Sequence, residues 1–215
     1  NKKISDNSPT YIIAEIGVNH GGSRSKCTIL IKKASDAGAD AVKLQIANPK
    51  ESYSKKNPSY KEFADKYLSD KSLRKLIDYA KSLGLALFAT PGDFTSLKKI
   101  HKLKMPAIKI SSGLLTNLPL IKEASKKKIP IIISTGMAYE KEIDDAINVC
   151  KKNQRKIALL KCTSIYPAPM NTLNLKAIEK LKQKYNLPVG YSDHSLGIDA
   201  SVYAVALGAS IIEKH

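Results

Sequence analysis

Two periods of apolar and polar positions alternate along this chain. Short runs such as Ala41-Val42-Lys43-Leu44-Gln45 and Ala107-Ile108-Lys109-Ile110-Ser111 are nearly continuous in apolar residues, as strands buried on both faces are. Between them lie longer amphipathic or lysine-rich stretches that read as helices packed on a core. The pattern predicts strands over residues 10–15, 41–45, 86–90, 107–111, 130–134, 157–163, 189–192 and 210–214. Helices are predicted over 25–37, 60–83, 93–103, 117–127, 139–152, 173–184 and 197–207. Several of them close on Gly or Pro just before the next strand, as in Ala37-Gly38-Ala39-Asp40 and Leu207-Gly208-Ala209, the stop signals of α/β units.

Strands that alternate with helices imply a parallel sheet with right-handed crossovers. Eight of them in 215 residues point to a (β/α)8 TIM barrel over residues 1–215, ending after strand eight. An open dinucleotide-binding sheet is disfavoured, because Gly21-Gly22 in the first strand–helix loop lacks the third glycine of that fingerprint. No linker or repeat marks a second domain within these residues.

Composition narrows the classes further. A hydrophobic fraction of 43% is that of a globular domain, and no apolar run approaches the ~20 residues of a membrane span. The polar stretch from Asn1 to Pro9 has no signal-peptide h-region. Cys27, Cys150 and Cys162 are scattered and odd in number, as expected of reduced thiols in a cytoplasmic protein. The net charge of +17 is nearly all lysine, the arginines being Arg24, Arg74 and Arg155. Nucleic-acid readers lean on arginine for bidentate contacts, so the lysines read as a solvated surface and no nucleic-acid partner is expected. An anionic small substrate is compatible with this balance.

In a (β/α)8 barrel the site forms at the carboxyl ends of the strands. There the sequence offers Glu15, Lys43 with Gln45, Asp93, Lys109 with Ser112, Ser134, Tyr166, and the strand-ending histidines His194 and His215. Lysine is rarely buried unless paired, so Lys43 and Lys109 are anomalies within apolar strands. One reading snorkels them to solvent or pairs them with a neighbouring carboxylate. The preferred reading is a phosphate or carboxylate site, completed by Ser112, Ser134 and loop N–H groups. If the last two strands are parallel neighbours, their ends lie about 5 Å apart, and His194 and His215 can share a metal ion. With two imidazoles the remaining positions would be water or substrate oxygen, an open site suited to Lewis-acid work with Mn²⁺, Fe²⁺, Co²⁺ or Zn²⁺. His20 reads as a loop residue, His101 as a helix-surface residue, and Cys162 as a packing residue of strand six without an evident activating partner. No GxSxG elbow is present, which disfavours nucleophilic hydrolysis.

The runs Ile13-Ala14-Glu15-Ile16-Gly17-Val18-Asn19-His20-Gly21-Gly22, Ile133-Ser134-Thr135-Gly136-Met137, Cys162-Thr163-Ser164-Ile165-Tyr166-Pro167, Gly190-Tyr191-Ser192-Asp193-His194-Ser195 and Ile212-Glu213-Lys214-His215 resemble the sialic acid synthase family. That family includes N-acetylneuraminate, legionaminate and pseudaminate synthases. The resemblance implies condensation of phosphoenolpyruvate with an N-acetylated aminosugar, giving a nine-carbon 2-keto acid and phosphate. It implies that His194 and His215 hold a divalent metal, usually Mn²⁺, and that Lys43, Lys109, Ser112, Ser134 and Ser164 hold phosphoenolpyruvate. Lys43 and Lys109 would also stand with Glu15, an acid/base carboxylate, as the catalytic set, while Gln45, Asp93 and Tyr166 would line the sugar pocket. It further implies a homodimer in the full-length form, with a C-terminal antifreeze-like domain absent from this chain. Two positions depart from the family pattern: Leu114 stands where members commonly carry an acidic residue, and Gly92 where they often carry Phe. For the acceptor sugar, Lys161-Cys162-Thr163-Ser164 with Pro167-Ala168-Pro169 is nearer to pseudaminate-type members, whereas the run around His194 fits sialate and legionaminate types equally.

Overall fold

The computed structural model describes residues 4–5, 7–154 and 156–215. Part of the polar N-terminal stretch and Arg155 therefore lie outside the described residues. The chain runs β1 (Tyr11–Gly17), α1 (Arg24–Asp36), β2 (Ala41–Ile46), α2 (Pro49–Ser52), α3 (Pro58–Asp65), α4 (Asp70–Ser82), β3 (Ala86–Pro91) and α5 (Phe94–Lys102). It continues through β4 (Ile108–Ile110), α6 (Leu118–Ser125), β5 (Ile131–Ser134), α7 (Glu140–Lys151), β6 (Ile157–Cys162), α8 (Ala177–Tyr185), β7 (Val189–Asp193), α9 (Asp199–Ala206) and β8 (Ile211–Lys214). The eight strands close into a barrel in chain order, the (β/α)8 architecture expected from the alternation.

Helix starts are where the structure departs from the pattern. The single helix expected over 60–83 is two, α3 and α4, and residues 66–69 separate them. Ser69 explains the break: its side chain accepts from the Ser72 N–H as an N-cap, with Asp70 in the first turn, and this local bond outweighs continued helical propensity. Asn57 caps α3 ahead of Pro58, and Asn48 caps the unexpected α2 ahead of Pro49. Proline at the first helical position gives up an N–H that has no partner there. Helix α8 begins at Ala177 rather than at 173, after a 3₁₀ turn over Met170–Thr172.

The chain divides into two compact units, one of residues 14–109 and one of residues 110–215 with the N-terminal segment up to Ile13. In the first, β2 and β3 pair in parallel from Ala41↔Ala86 to Ile46↔Pro91. Helix α4 buries Leu73, Leu76 and Ala80; each leucine contributes about 1.5–3 kcal/mol of transfer free energy. In the second, β5 to β8 pair in parallel, and β7 sets Ser192 beside Glu213 and Asp193 beside Lys214. Gly190 lets these last strands meet: a Cβ there would lie 2.3 Å from the Ile211 carbonyl oxygen.

Candidate active site

Within residues 14–109, Glu15, Lys43 and Gln45 come together around a buried ion pair. Lys43, inside β2, is 2% exposed and places Nζ 3.0 Å from Oε2 of Glu15 on β1. Gln45, two residues further along β2, donates from Nε2 to Oε1 of Glu15 at 3.1 Å. The period of two along a strand puts both side chains on one face. Lys43 is thus paired rather than snorkelled, and its burial is tolerable because the carboxylate compensates the charge. Lys109 is 1% exposed, within β4 between the buried Ile108 and Ile110.

Asp93 is engaged differently. Oδ1 accepts from the Ser96 N–H (2.7 Å), and Oδ2 accepts from the Asn48 N–H (2.6 Å), the Ser52 hydroxyl (2.9 Å) and the Ser96 hydroxyl (3.0 Å). Its carboxylate caps α5 and ties down the start of α2. His20 is also buried. Its Nδ1 accepts from the Gly22 N–H at 3.0 Å, and burial, then the nearby Lys66 charge, lower its pKa.

Within residues 110–215 a second group surrounds Gly136, just beyond β5. The Gly136 N–H donates to the Ser112 hydroxyl at 3.1 Å, and that hydroxyl meets the Cys162 sulfur at 3.5 Å. Ser164 Oγ lies 3.8 Å from the same sulfur. A Cβ on Gly136 would fall 2.4 Å from Ser164 Oγ, 2.8 Å from Ser112 Oγ and 3.1 Å from the sulfur. This is a cradle of hydroxyl and N–H donors that any side chain would fill. Ser134 is buried at the end of β5 beside it. Burial alone would raise the Cys162 pKa, but hydrogen bonds to His194 and Ser112, the electrostatic influence of the His194 ring and the Ser164 hydroxyl draw it down to about 7. Cys27 and Cys150, buried without such partners, are pushed up to about 12. Cys162 does pack in its strand as expected, but partners brought from distant segments set its acidity.

The two strand-ending histidines meet. Their ring centroids are 4.1 Å apart, edge to face. His194 Nδ1 lies 2.7 Å from the Thr163 carbonyl oxygen and His215 Nδ1 3.1 Å from the Asp193 carbonyl oxygen. A carbonyl only accepts, so each Nδ1 carries the proton and each Nε2 bears a lone pair. Metal-binding imidazoles are oriented in this way. Tyr166 stacks on His194 at 3.9 Å and donates its hydroxyl to Nε2 at 2.8 Å, so an ion held by that nitrogen would have to displace the hydroxyl. Among the described residues no cluster of three or more His, Cys, Asp and Glu is arranged to hold a metal. The donor chemistry that fits an ion is therefore the imidazole pair, with its other positions left to water or substrate.

Sequence reasoning assigned no role to Ser192 and Glu213, although both lie in this group. Ser192 donates to Oε1 of the buried Glu213 at 2.8 Å and stands 3.4 Å from His194 Nε2. The signal was available: each sits two positions before a histidine and so shares its strand face.

Comparisons with known proteins bear on the family and the fold of the chain. Residues 30–215 match the model of the NeuB family. The chain is 45% identical over 223 residues to the N,N'-diacetyllegionaminic acid synthase of Campylobacter jejuni, covering 96% of this chain and 67% of that protein. It is 32% identical to the human N-acetylneuraminate-9-phosphate synthase, covering 96% of this chain and 62% of the relative. The crystal structure of N-acetylneuraminic acid (sialic acid) synthetase from Leptospira borgpetersenii in complex with citrate superposes with a TM-score of 0.96 at 37% identity, covering 100% of this chain and 75% of that one. The chain thus spans about 62% to 67% of the length of the sequence relatives named here. With the barrel and its strand-end residues in place, the match over most of the sequence settles kinship: this chain belongs to the NeuB family.

Proposed function

We propose that this chain is the barrel of a nonulosonate synthase, which joins phosphoenolpyruvate to the open-chain aldehyde of an N-acetylated aminosugar. The observation that carries the reading is the 45% identity to a legionaminic acid synthase across 96% of this chain. In this reaction C3 of the enol attacks the aldehyde carbon and a carbon–carbon bond forms. Water adds at C2, the C2–O bond to phosphate breaks, and a 2-keto acid and inorganic phosphate leave.

Lys43 and Lys109 bind the phosphate and carboxylate of phosphoenolpyruvate, and the hydroxyls of Ser112, Ser134 and Ser164 with the Gly136 N–H complete the cradle. Fixed donors of this kind stabilise developing negative charge without reorganising during reaction. Glu15, held by Lys43 and Gln45, is placed to pass a proton to or from the reacting oxygens, while Gln45, Asp93 and Tyr166 shape the sugar pocket. His194 and His215 would hold a divalent cation, Mn²⁺ in this proposal, which when bound supplies Lewis-acid polarisation of the aldehyde. The relatives support a 6-deoxy-diacetamido sugar as acceptor, legionaminate-type at 45% identity ahead of pseudaminate-type at 36%. A cytoplasmic homodimer is part of the same proposal; the structure contributes only that no described helix is long and apolar enough to cross a membrane.

The test is phosphate release from phosphoenolpyruvate with Mn²⁺ and a panel of aminosugars, N-acetylmannosamine and 6-deoxy-diacetamido forms included. Release that requires both a sugar and the metal is expected. Metal and phosphoenolpyruvate binding without turnover on any sugar would favour a second reading, a non-catalytic sugar-binding homologue. Leu114 motivates that reading, since the turn Ser112–Leu114 beside the cradle lacks the family's acidic residue.

A further inference from the structure

We propose that Asp193 is the positioning residue of the histidine pair, holding His194 and His215 in register from behind their strands; this rests on the metal reading above. The period of two sends Ser192 and His194 to one side of β7 and Asp193 to the other, and likewise Glu213 and His215 against Lys214 on β8. Asp193 is fully buried, at 0% exposed, on the strand face opposite to that of the two histidines.

It grips three separate segments. Oδ1 accepts from the Ser195 N–H at 2.8 Å and the Ser195 hydroxyl at 2.6 Å, which fixes the turn directly after His194. Oδ2 accepts from Ser201 of α9 at 2.6 Å and lies 3.4 Å from Nζ of Lys214, the residue before His215. Lys214 closes the ring by donating to the Ser195 carbonyl at 2.7 Å. The Asp193 peptide that this clamp immobilises then does the positioning: its carbonyl oxygen accepts from both the N–H (3.2 Å) and the Nδ1–H (3.1 Å) of His215. One residue therefore fixes the chain on which His194 rides and the tautomer and direction of His215. Partners that orient metal-binding histidines are typically worth 10–100-fold in metal affinity. An amide in place of the carboxylate presents N–H donors to Lys214, itself a donor, so Asp193→Asn opens the ring while conserving volume.

The experiment titrates Mn²⁺ by calorimetry into the protein, His194→Ala, Asp193→Asn and Ser201→Ala, with unfolding midpoints for each. Imidazole tautomers are read from ¹⁵N spectra of the metal-free proteins. His194→Ala is expected to lose the ion. Asp193→Asn should bind it about tenfold or more weakly, with His215 no longer held as the Nδ1–H tautomer, and Ser201→Ala should move both readouts the same way. Should Asp193→Asn fail to fold, Ser201→Ala, which keeps the buried carboxylate and Lys214, decides. A folded Asp193→Asn with affinity within twofold of the parent and an unchanged His215 tautomer overturns the proposal. If the parent binds no ion, or His194→Ala binds as the parent does, the metal reading fails while the tautomer spectra still decide the positioning of His215.

Discussion

At the scale of single residues, the Lys43–Glu15 pair ties stability to chemistry. Both charges are buried 3.0 Å apart, so removing one strands the other where water cannot solvate it. Lys43→Met or Glu15→Gln alone should each cost about 3–5 kcal/mol, with the double variant recovering part of that loss. A denaturant double-mutant cycle reads this directly, and strictly additive losses would mean the pair is not coupled. His20 supplies a pH test. Burial, and then Lys66, depress its folded-state pKa below the usual 6.5, so the stability it contributes is full above 6.5. The unfolded chain takes up the proton first as pH falls, and that stability drains away until the folded pKa is passed. The protein should lose more stability between pH 7.5 and pH 5.5 than His20→Asn, which keeps an acceptor for Gly22 and does not titrate. Equal slopes would count against it. The paired histidines were legible because each ends a short, mostly apolar, strand-like run. The partners of Cys162 were not, because Ser112 and His194 lie 50 and 32 positions away in sequence.

At the scale of elements, periodicity located every strand within two residues of its observed ends, since continuous apolar runs leave few alternatives. It failed at 66–69, where no apolar position is lost and a single hydroxyl decides. Ser69→Ala should therefore cost about 1 kcal/mol, within the 0.5–2 kcal/mol range of N-caps, and lower the midpoint of thermal unfolding. Ser69→Asp, another good cap, should restore it; an Ala variant as stable as the parent would make the Ser72 bond incidental. The same lesson applies to α2 and α3, whose Asn-Pro starts are local signals that a search for helical periodicity passes over.

At the scale of the molecule, strand–helix alternation was enough to name a closed barrel, and the barrel rule then gathered the polar strand ends into candidate site residues. Each unit independently assembles chemistry that its sequence only hinted at: a buried lysine paired with a carboxylate in one, a donor cradle and an oriented imidazole pair in the other. Assigning both to one condensation is the central claim. The most direct test supplies phosphoenolpyruvate labelled with ¹⁸O at the bridging oxygen, together with Mn²⁺ and a 6-deoxy-diacetamido sugar, and weighs the products. A nine-carbon 2-keto acid should form in step with phosphate that carries the label, because the C2–O bond breaks, and neither product should form without the sugar. Labelled oxygen retained in pyruvate, released without any sugar, would contradict the account.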